Sequence, residues 1–422
     1  MAEQADTSPT LGELIEVFGR IGLLSFGGPA AQIALMHKEL VDERPWLTEA
    51  EYLRALSFCM LLPGPEAMQL ATYAGWKKRG ITGGLIGGGL FVLPGAIVIG
   101  VLALLYLSLG TLPVVQALFT GVKAVVVVIV IAALIKIVGR ALGTRLYKIV
   151  AATAFLALFF FAVPFPIVIA VAAVLGAGPT PPVQQHAPPA PPNWRPSLLI
   201  FVVGTMIWAI PIVVAALLGQ DFLVELGLFF SLLAVVTFGG AYAVLAYMTQ
   251  EVVVSYGWLS TAQMIDALGL AETTPGPLIL VTQFVGMLAG AADGGPALAL
   301  IAGAMTLWVT FVPCFIWIFA GAPLIDWLDG KPRLRAALQA VTAAVVGVIA
   351  SLSLWFAMHV FFGEVITIDA GPLQTIAPVP GTIDPVALGL GALAAALILW
   401  RGWPMPLVLC ICAAIGGGLS LL

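Results

Sequence analysis

One pattern limits this chain more than any other. Two Gly/Pro interruptions lie inside apolar sequence, and both occur twice. Phe26-Gly27-Gly28, Glu39, Trp46-Leu47 and Pro63-Gly64-Pro65 return 212 positions later as Phe238-Gly239-Gly240, Glu251, Trp258-Leu259 and Pro275-Gly276-Pro277. Between Phe26 and Pro65, 16 of 40 positions match without a gap, Trp, Pro and Glu among them. Shared low complexity does not produce such a match. The chain is a duplication, and each half carries two breaks. In membrane proteins, interrupted helices at corresponding positions of two halves point to a transport site.

The composition permits nothing but a membrane setting. Hydrophobic residues make up 61% and charged residues 9%, with a mean hydropathy of +1.11. Soluble domains carry about 25% charged residues. The period-two alternation of a membrane barrel is absent, whereas the runs 122–138 and 198–218 are long enough to span. The expected fold class is an all-α polytopic membrane protein made of two inverted-topology repeats with broken or re-entrant helices. Glu3 and Asp6 without a basic residue in the first ten positions leave no cleaved signal visible. Cys59, Cys314, Cys410 and Cys412 all lie in apolar segments and read as small core residues.

The expected division is a first repeat over 1–176, a proline-rich linker over 177–196, a connecting transmembrane helix over 197–218 and a second repeat over 219–422. Pro179, Pro181, Pro182, Pro188, Pro189, Pro191, Pro192 and Pro196 make the linker extended and solvated. Turn charges predict the inversion, because Lys and Arg concentrate in cytoplasmic loops. The turns bearing Lys77-Lys78-Arg79 and Arg140, Arg145 and Lys148 are basic. Their counterparts carry Asp293, and Glu364, Asp369 and Asp384. Conversely, the uncharged turns 107–112 and 164–166 correspond to turns with Lys331, Arg333 and Arg335, and with Arg401. Inverted halves need one extra crossing, which 197–218 supplies. The amino terminus is then cytoplasmic.

The pieces beside each break are about 10–15 residues, short of the ~20 needed to span. Half-helices or re-entrant hairpins account for them, and such backbone survives at membrane depth only where protein or water covers it. Helices starting at Pro29, Pro65, Ala241 and Pro277 direct free N–H groups and positive dipole ends inward, which suits an anion. The bland alternative is a set of kinks for close packing. The candidate substrate-binding residues are Gly27, Gly28, Pro29, Pro63, Gly64, Pro65, Glu66, Gly239, Gly240, Pro275, Gly276 and Pro277, together with Lys123. This lysine sits amid Val and Ala near the middle of 113–139 and needs a partner or a wet cavity. Glu66 or Glu272 are the partners to expect. The segment around Ala343, its counterpart, has no cation. Arg20, Glu39 and Glu272 are the proton-coupling candidates, although Glu39 and Glu251 equally suit a structural turn and Glu66 a helix start. His37 is expected near the surface, and Gly83/Gly87 and Gly84/Gly88 as small-residue packing. No metal spacing, Walker loop or dinucleotide fingerprint stands out, so no cofactor or metal is expected, and the basic residues form no nucleic-acid patch.

Phe26-Gly-Gly-Pro-Ala-Ala-Gln-Ile33, Met36-His-Lys-Glu39, Leu61-Leu-Pro-Gly-Pro-Glu66, Gln69-Leu-Ala-Thr-Tyr73 and Phe91-Val-Leu-Pro94 resemble the long-chain chromate ion transporter family. So do Thr237–Val244 and Glu272–Leu278. The likeness covers nearly the whole chain apart from the linker. It implies export of chromate across the bacterial inner membrane, chromate resistance, sulfate as competitor, and energy from the proton gradient or membrane potential. Many members have His where this chain has Gln32, so no proton role is expected there. The residues alone reach an anion carrier, and the resemblance alone names chromate. The rivals are an oxyanion channel or exchanger on the same fold, and an intramembrane enzyme acting on lipid phosphate. A clustered nucleophile set is missing for the last, so no enzyme is expected. The expected partners are the chromate- or sulfate-like oxyanion and membrane lipid, and the sequence is compatible with a homodimer.

Overall fold

The computed structural model describes residues 9–178, 194–238, 241–325, 327 and 331–419. Gly239, Gly240 and linker residues 179–193 lie outside the described residues. The first repeat contains α1 (Leu11–Leu24), α2 (Gly28–His37), α3 (Glu49–Cys59), α4 (Glu66–Leu109), α5 (Pro113–Ala141), α6 (Arg145–Phe161) and α7 (Phe165–Gly176). The connecting helix is α8 (Trp194–Leu217). The second repeat contains α9 (Asp221–Val236), α10 (Ala241–Gln250), α11 (Thr261–Thr273), α12 (Val281–Gly321), α13 (Pro332–Phe361), strands β1 (Val365–Ala370) and β2 (Leu373–Pro378), α14 (Pro385–Ala395) and α15 (Met405–Leu419). Apart from that one antiparallel strand pair, the described residues form an all-α polytopic membrane protein. Glu66–Leu109, Pro113–Ala141, Trp194–Leu217, Leu278–Leu324 and Pro332–Phe361 are long and apolar enough to cross a bilayer.

Local structure repeats with the sequence. Thr48 and Ser260, 212 apart, both build capping boxes, with Glu51 and Gln263. π-helical turns follow α2 at Lys38–Glu43 and α10 at Glu251–Ser255. Both α4 and α12 fold back on themselves. Non-helical backbone at Arg79-Gly80 and at Gly294-Gly295 splits each into a short first limb and a long second limb. The limbs touch through glycine: a Cβ at Gly75 collides with the Gly83 carbonyl, and one at Gly87 with that of Ala71. Gly84 and Gly88 press on Phe319 and on Thr72 and Phe315. Gly83, Gly84, Gly87 and Gly88 are packing glycines, as their spacing predicts.

The short helices pair into hairpins. Arg20 reaches Glu39 at 3.4 Å, and Phe18 packs on Trp46, so α1 and α2 run back to back around a tip at 25–28. Glu51 meets Lys77 at 3.5 Å, closing α3 on the first limb of α4 around the Pro63–Pro65 tip. In the second repeat, Phe229 contacts both Tyr247 and Tyr256, and Phe222 contacts Trp258, which folds α9 back on α10. These are re-entrant hairpins rather than end-to-end half-helices.

The two hairpin pairs enter from opposite ends. The second limb of α4 passes Gly75 at Gly83, near the open end of the second hairpin. Gly95 then touches Pro275 at the tip of the fourth hairpin (α11 and the first limb of α12). Tyr106 reaches Asp266, which lies back toward that hairpin's open end. One helix thus passes from the mouth of one repeat, through the tips, to the mouth of the other. Following the chain from there gathers the basic turn residues. Arg44, Lys77, Arg79, Arg140, Arg145, Lys148, Lys331, Arg333, Arg335 and Arg401 fall at the first repeat's end, where Glu39, Asp42, Glu43, Glu49 and Glu51 pair with basic side chains. Asp221, Glu225, Asp293, Glu364, Asp369 and Asp384 fall at the other.

Two expectations need correction. The loop bearing Glu364 and Asp369 is the strand pair, registered from Val365–Pro378 to Ala370–Leu373. The Val365–Ile368 β-branched run and a positive φ at Gly371 explain it. Cys410 is exposed, whereas Cys59, Cys314 and Cys412 are buried.

Candidate functional site

The tips interlock across the duplication. Gly64 N–H donates to Thr237 O at 2.8 Å, and Gly276 N–H donates to Ser25 O at 2.9 Å. Each bond is the other shifted by 212 positions, so a pseudo-two-fold passes through the centre. Gln32, buried, adds a staple by donating from Nε2 to Gly276 O at 2.7 Å and Ser25 O at 3.2 Å. Gln69 similarly holds its own tip, donating to Pro63 O at 2.7 Å.

These contacts divide the break residues by role. Pro63, Gly64, Pro65, Pro275, Gly276 and Pro277 are buried, and the two glycine amides are already engaged. A Cβ on Gly64 runs into Cys314 Sγ at 2.8 Å and Gln69 Nε2 at 2.9 Å. On Gly276 it meets Leu280 Cδ1 at 3.1 Å and Phe91 O at 3.4 Å. Both glycines therefore permit close approach of protein to protein, and neither N–H is free for a ligand. The first tip differs. Gly27 and Gly28 have φ of 85° and 77°, Gly27 and Phe26 are exposed, and a Cβ at Gly28 meets nothing within 4 Å. Pro29 sits in the first turn of α2, and no side chain caps that helix. Its first-turn N–H groups have no intrahelical acceptor.

Acidic residues mark two of the other three helix starts, and the start after Pro277 has none in its first turn. Glu66 is the first residue of α4, at the positive end of its dipole. Glu272 accepts a hydrogen bond from Tyr242 Oη at 2.9 Å, beside the start of α10. The counterparts of these acids around the first tip are Leu278 and Met60. An anion thus meets no carboxylate from those two positions at the start of α2.

The remaining candidates lie away from the tips. Glu39 is 1% exposed and held by two guanidiniums, Arg44 Nη1 at 2.6 Å and Arg20 Nε at 3.4 Å. Arg20 and Glu39 form a structural ion network at the first mouth, fixing the π turn after α2. Glu251, its repeat counterpart, has neither cation: Leu232 and Tyr256 stand where Arg20 and Arg44 would be. His37 pairs with Glu49 at 2.6 Å and Asp42 at 3.3 Å. The Glu49 hydrogen bond raises the His37 pKa, against a weaker opposing effect of burial.

Lys123 has an acidic partner, and it is neither Glu66 nor Glu272. Its Nζ lies 3.1 Å from Asp266 Oδ1, an ion pair off the hydrogen-bond line. Tyr106 Oη donates to Asp266 Oδ2 at 2.7 Å. Asp266 is eight residues before Thr274, about 12 Å along a helix, so this cluster is apart from the tips. Sequence reasoning missed Asp266, Tyr106 and Tyr242. The available signal was a second acid, besides Glu272, inside the apolar stretch 262–274.

Paired hairpins meeting tip to tip within a spanning scaffold define a polytopic membrane protein built by duplication. The family model described as chromate transporter matches residues 12–177 and 224–417. The chain belongs to that family. It is 30% identical over 420 residues to a "Probable chromate transport protein" of Synechococcus elongatus, covering 96% of this chain and 95% of that one. It is 32% identical over 356 residues to a chromate transport protein of Cupriavidus metallidurans (82% and 83% covered). A chromate transport protein of Pseudomonas aeruginosa is 30% identical over 360 residues (81% and 80% covered). No solved structure matches the chain.

Proposed function

We propose that this protein is a secondary transporter that exports chromate, or a sulfate-like divalent oxyanion, from the cytoplasm across the bacterial inner membrane and so confers chromate resistance. The substrate class is taken from the names of its relatives. The observation that carries the reading is the start of α2: uncapped amides and a positive dipole end, opening onto unfilled space beside Gly28. Gly27, Gly28 and Pro29 shape that start. Gly239 and Gly240 correspond to it in the second repeat. Pro63–Pro65 and Pro275–Pro277 hold the tips in register, and Glu66 and Glu272 set the field around them.

The basic residues gathered at the first mouth support placing it and the amino terminus in the cytoplasm. An outward-moving dianion is then driven by an inside-negative potential, at about 2.3 kcal/mol per charge per 100 mV. The reciprocal tip bonds favour a carrier over a channel, because they close the centre with protein. The direct test is labelled chromate uptake into inverted vesicles, with and without excess sulfate and an uncoupler. Saturable, sulfate-inhibited uptake that falls when the potential collapses is the expected result. Flux that never saturates would instead indicate a channel.

A further inference from the structure

Buried charge joins the two repeats at one place among the described residues that the tips do not explain. Asp266 on α11 is 1% exposed, and Lys123 on α5 is 19% exposed at its side chain. Tyr106, on the second limb of α4, completes the cluster. Lys123 and Tyr106 belong to the first repeat and Asp266 to the second. The duplication does not repeat the arrangement: Arg54 stands 212 positions before Asp266, and the counterpart of Lys123 lies in the apolar stretch around Ala343. The fourth hairpin is therefore fastened to the opposite repeat by charge, and the position equivalent to Asp266 on the second hairpin carries the opposite sign.

The surroundings supply no substitute counter-charge. Lys123 comes from α5 and Tyr106 from α4. From α15 comes Cys412, packed at Gly121 two residues before Lys123. On α11 itself, Glu272 is engaged by Tyr242. The first limb of α12 has no titratable side chain before Asp293 at its far end. A proton added to Asp266 Oδ1 leaves the Lys123 ammonium, only 19% exposed at its side chain, without its acidic partner, an unfavourable state. Separation of α11 from α5 relieves it by admitting water or an anion to Lys123.

We propose that Lys123, Asp266 and Tyr106 form a proton-operated latch: ionised Asp266 holds the fourth hairpin on α5, and protonation of Asp266 releases it. The proposal rests on reading the chain as a carrier whose hairpins move. It makes proton binding and hairpin movement reciprocal, since whatever opens the hairpin also favours the protonated carboxyl.

The test is amide hydrogen exchange across 261–273 in the purified full-length protein without substrate, from about pH 8.5 down to about pH 4.5, corrected for intrinsic exchange. In the wild type, protection of this arm is expected to fall about tenfold on acidification. Asp266→Asn, which keeps a partner for Tyr106, is expected to show the low protection at every pH. Asp266→Asn with Lys123→Met removes both charges and is expected to restore protection without pH dependence. Wild-type protection that does not change with pH overturns the latch, and so does full protection in folded Asp266→Asn. If Asp266→Asn does not fold, the wild-type pH series decides alone. Because no substrate is used, the latch fails or survives independently of oxyanion flux in vesicles, whose absence would overturn the carrier reading instead.

Discussion

Gly28 and Gly64 look alike in the sequence, and their surroundings separate them. Gly28 has a positive φ and open space at its Cβ, whereas Gly64 has a positive φ and a filled pocket. Gly28→Ala is expected to insert, fold and lose only about 1–2 kcal/mol to left-handed strain, while weakening oxyanion binding by placing a methyl at the helix start. Gly64→Val is expected to lower the yield of monodisperse protein, as Gly84→Val should, because each collides with fixed neighbours. Detergent size-exclusion profiles beside binding isotherms check both. Glu39 allows a second expectation. Removing a partner from a fully buried ion pair costs about 3–5 kcal/mol. Arg44→Met should destabilise by less, because Arg44 is 32% exposed and Arg20 remains. It should still exceed Arg20→Met, whose longer contact comes from a side chain that is 52% exposed. Thermal unfolding of the two variants gives the ranking, and equal midpoints would dismiss the network.

The hairpins are where sequence and structure can be compared most closely. The breaks were legible because Gly and Pro punctuate apolar runs in both halves at an offset of 212 residues, and Thr48 and Ser260 mark the restarts with capping boxes. Their folding back was not legible, because no local signal distinguishes a re-entrant hairpin from a broken span. That distinction rests on contacts such as Arg20 with Glu39 and Glu51 with Lys77. The Lys123 partner was hidden for a similar reason. Helix-to-helix proximity between α5 and α11 fixes it, and Asp266 has no charged repeat partner of the same sign to draw attention. At the first mouth, His37 links α2 to α3 through Glu49. Its pKa is raised in the folded protein, so the pair's contribution is fully present below the unfolded value of about 6.5 and is lost as pH rises through the higher folded value. Thermal midpoints of wild type and His37→Gln should therefore converge as pH rises through that window. A gap that persists unchanged well above it would show that the pair contributes through packing rather than charge.

Across the whole molecule, a pseudo-two-fold joins the repeats, and unequal residues on the two sides break its symmetry. The Gly64–Thr237 and Gly276–Ser25 bonds are equivalent, yet Glu66 and Glu272 have the neutral counterparts Leu278 and Met60, and Glu39 keeps two arginines that Glu251 lacks. One framework thus holds an anion-suited tip and an acid-bearing one. The opposed hairpin mouths lead to a topological expectation: in a variant free of native cysteines, Lys78→Cys and Gly294→Cys should label from opposite sides of the membrane. Labelling from one side would remove the inverted arrangement. The most direct measurement for the account is equilibrium chromate binding to purified, monodisperse protein, comparing wild type with Gly28→Val. The account expects saturable, sulfate-competed binding in the wild type and at least about a tenfold loss, roughly 1.4 kcal/mol, in the folded variant. Undiminished chromate affinity in folded Gly28→Val would contradict it and place the oxyanion away from the start of α2.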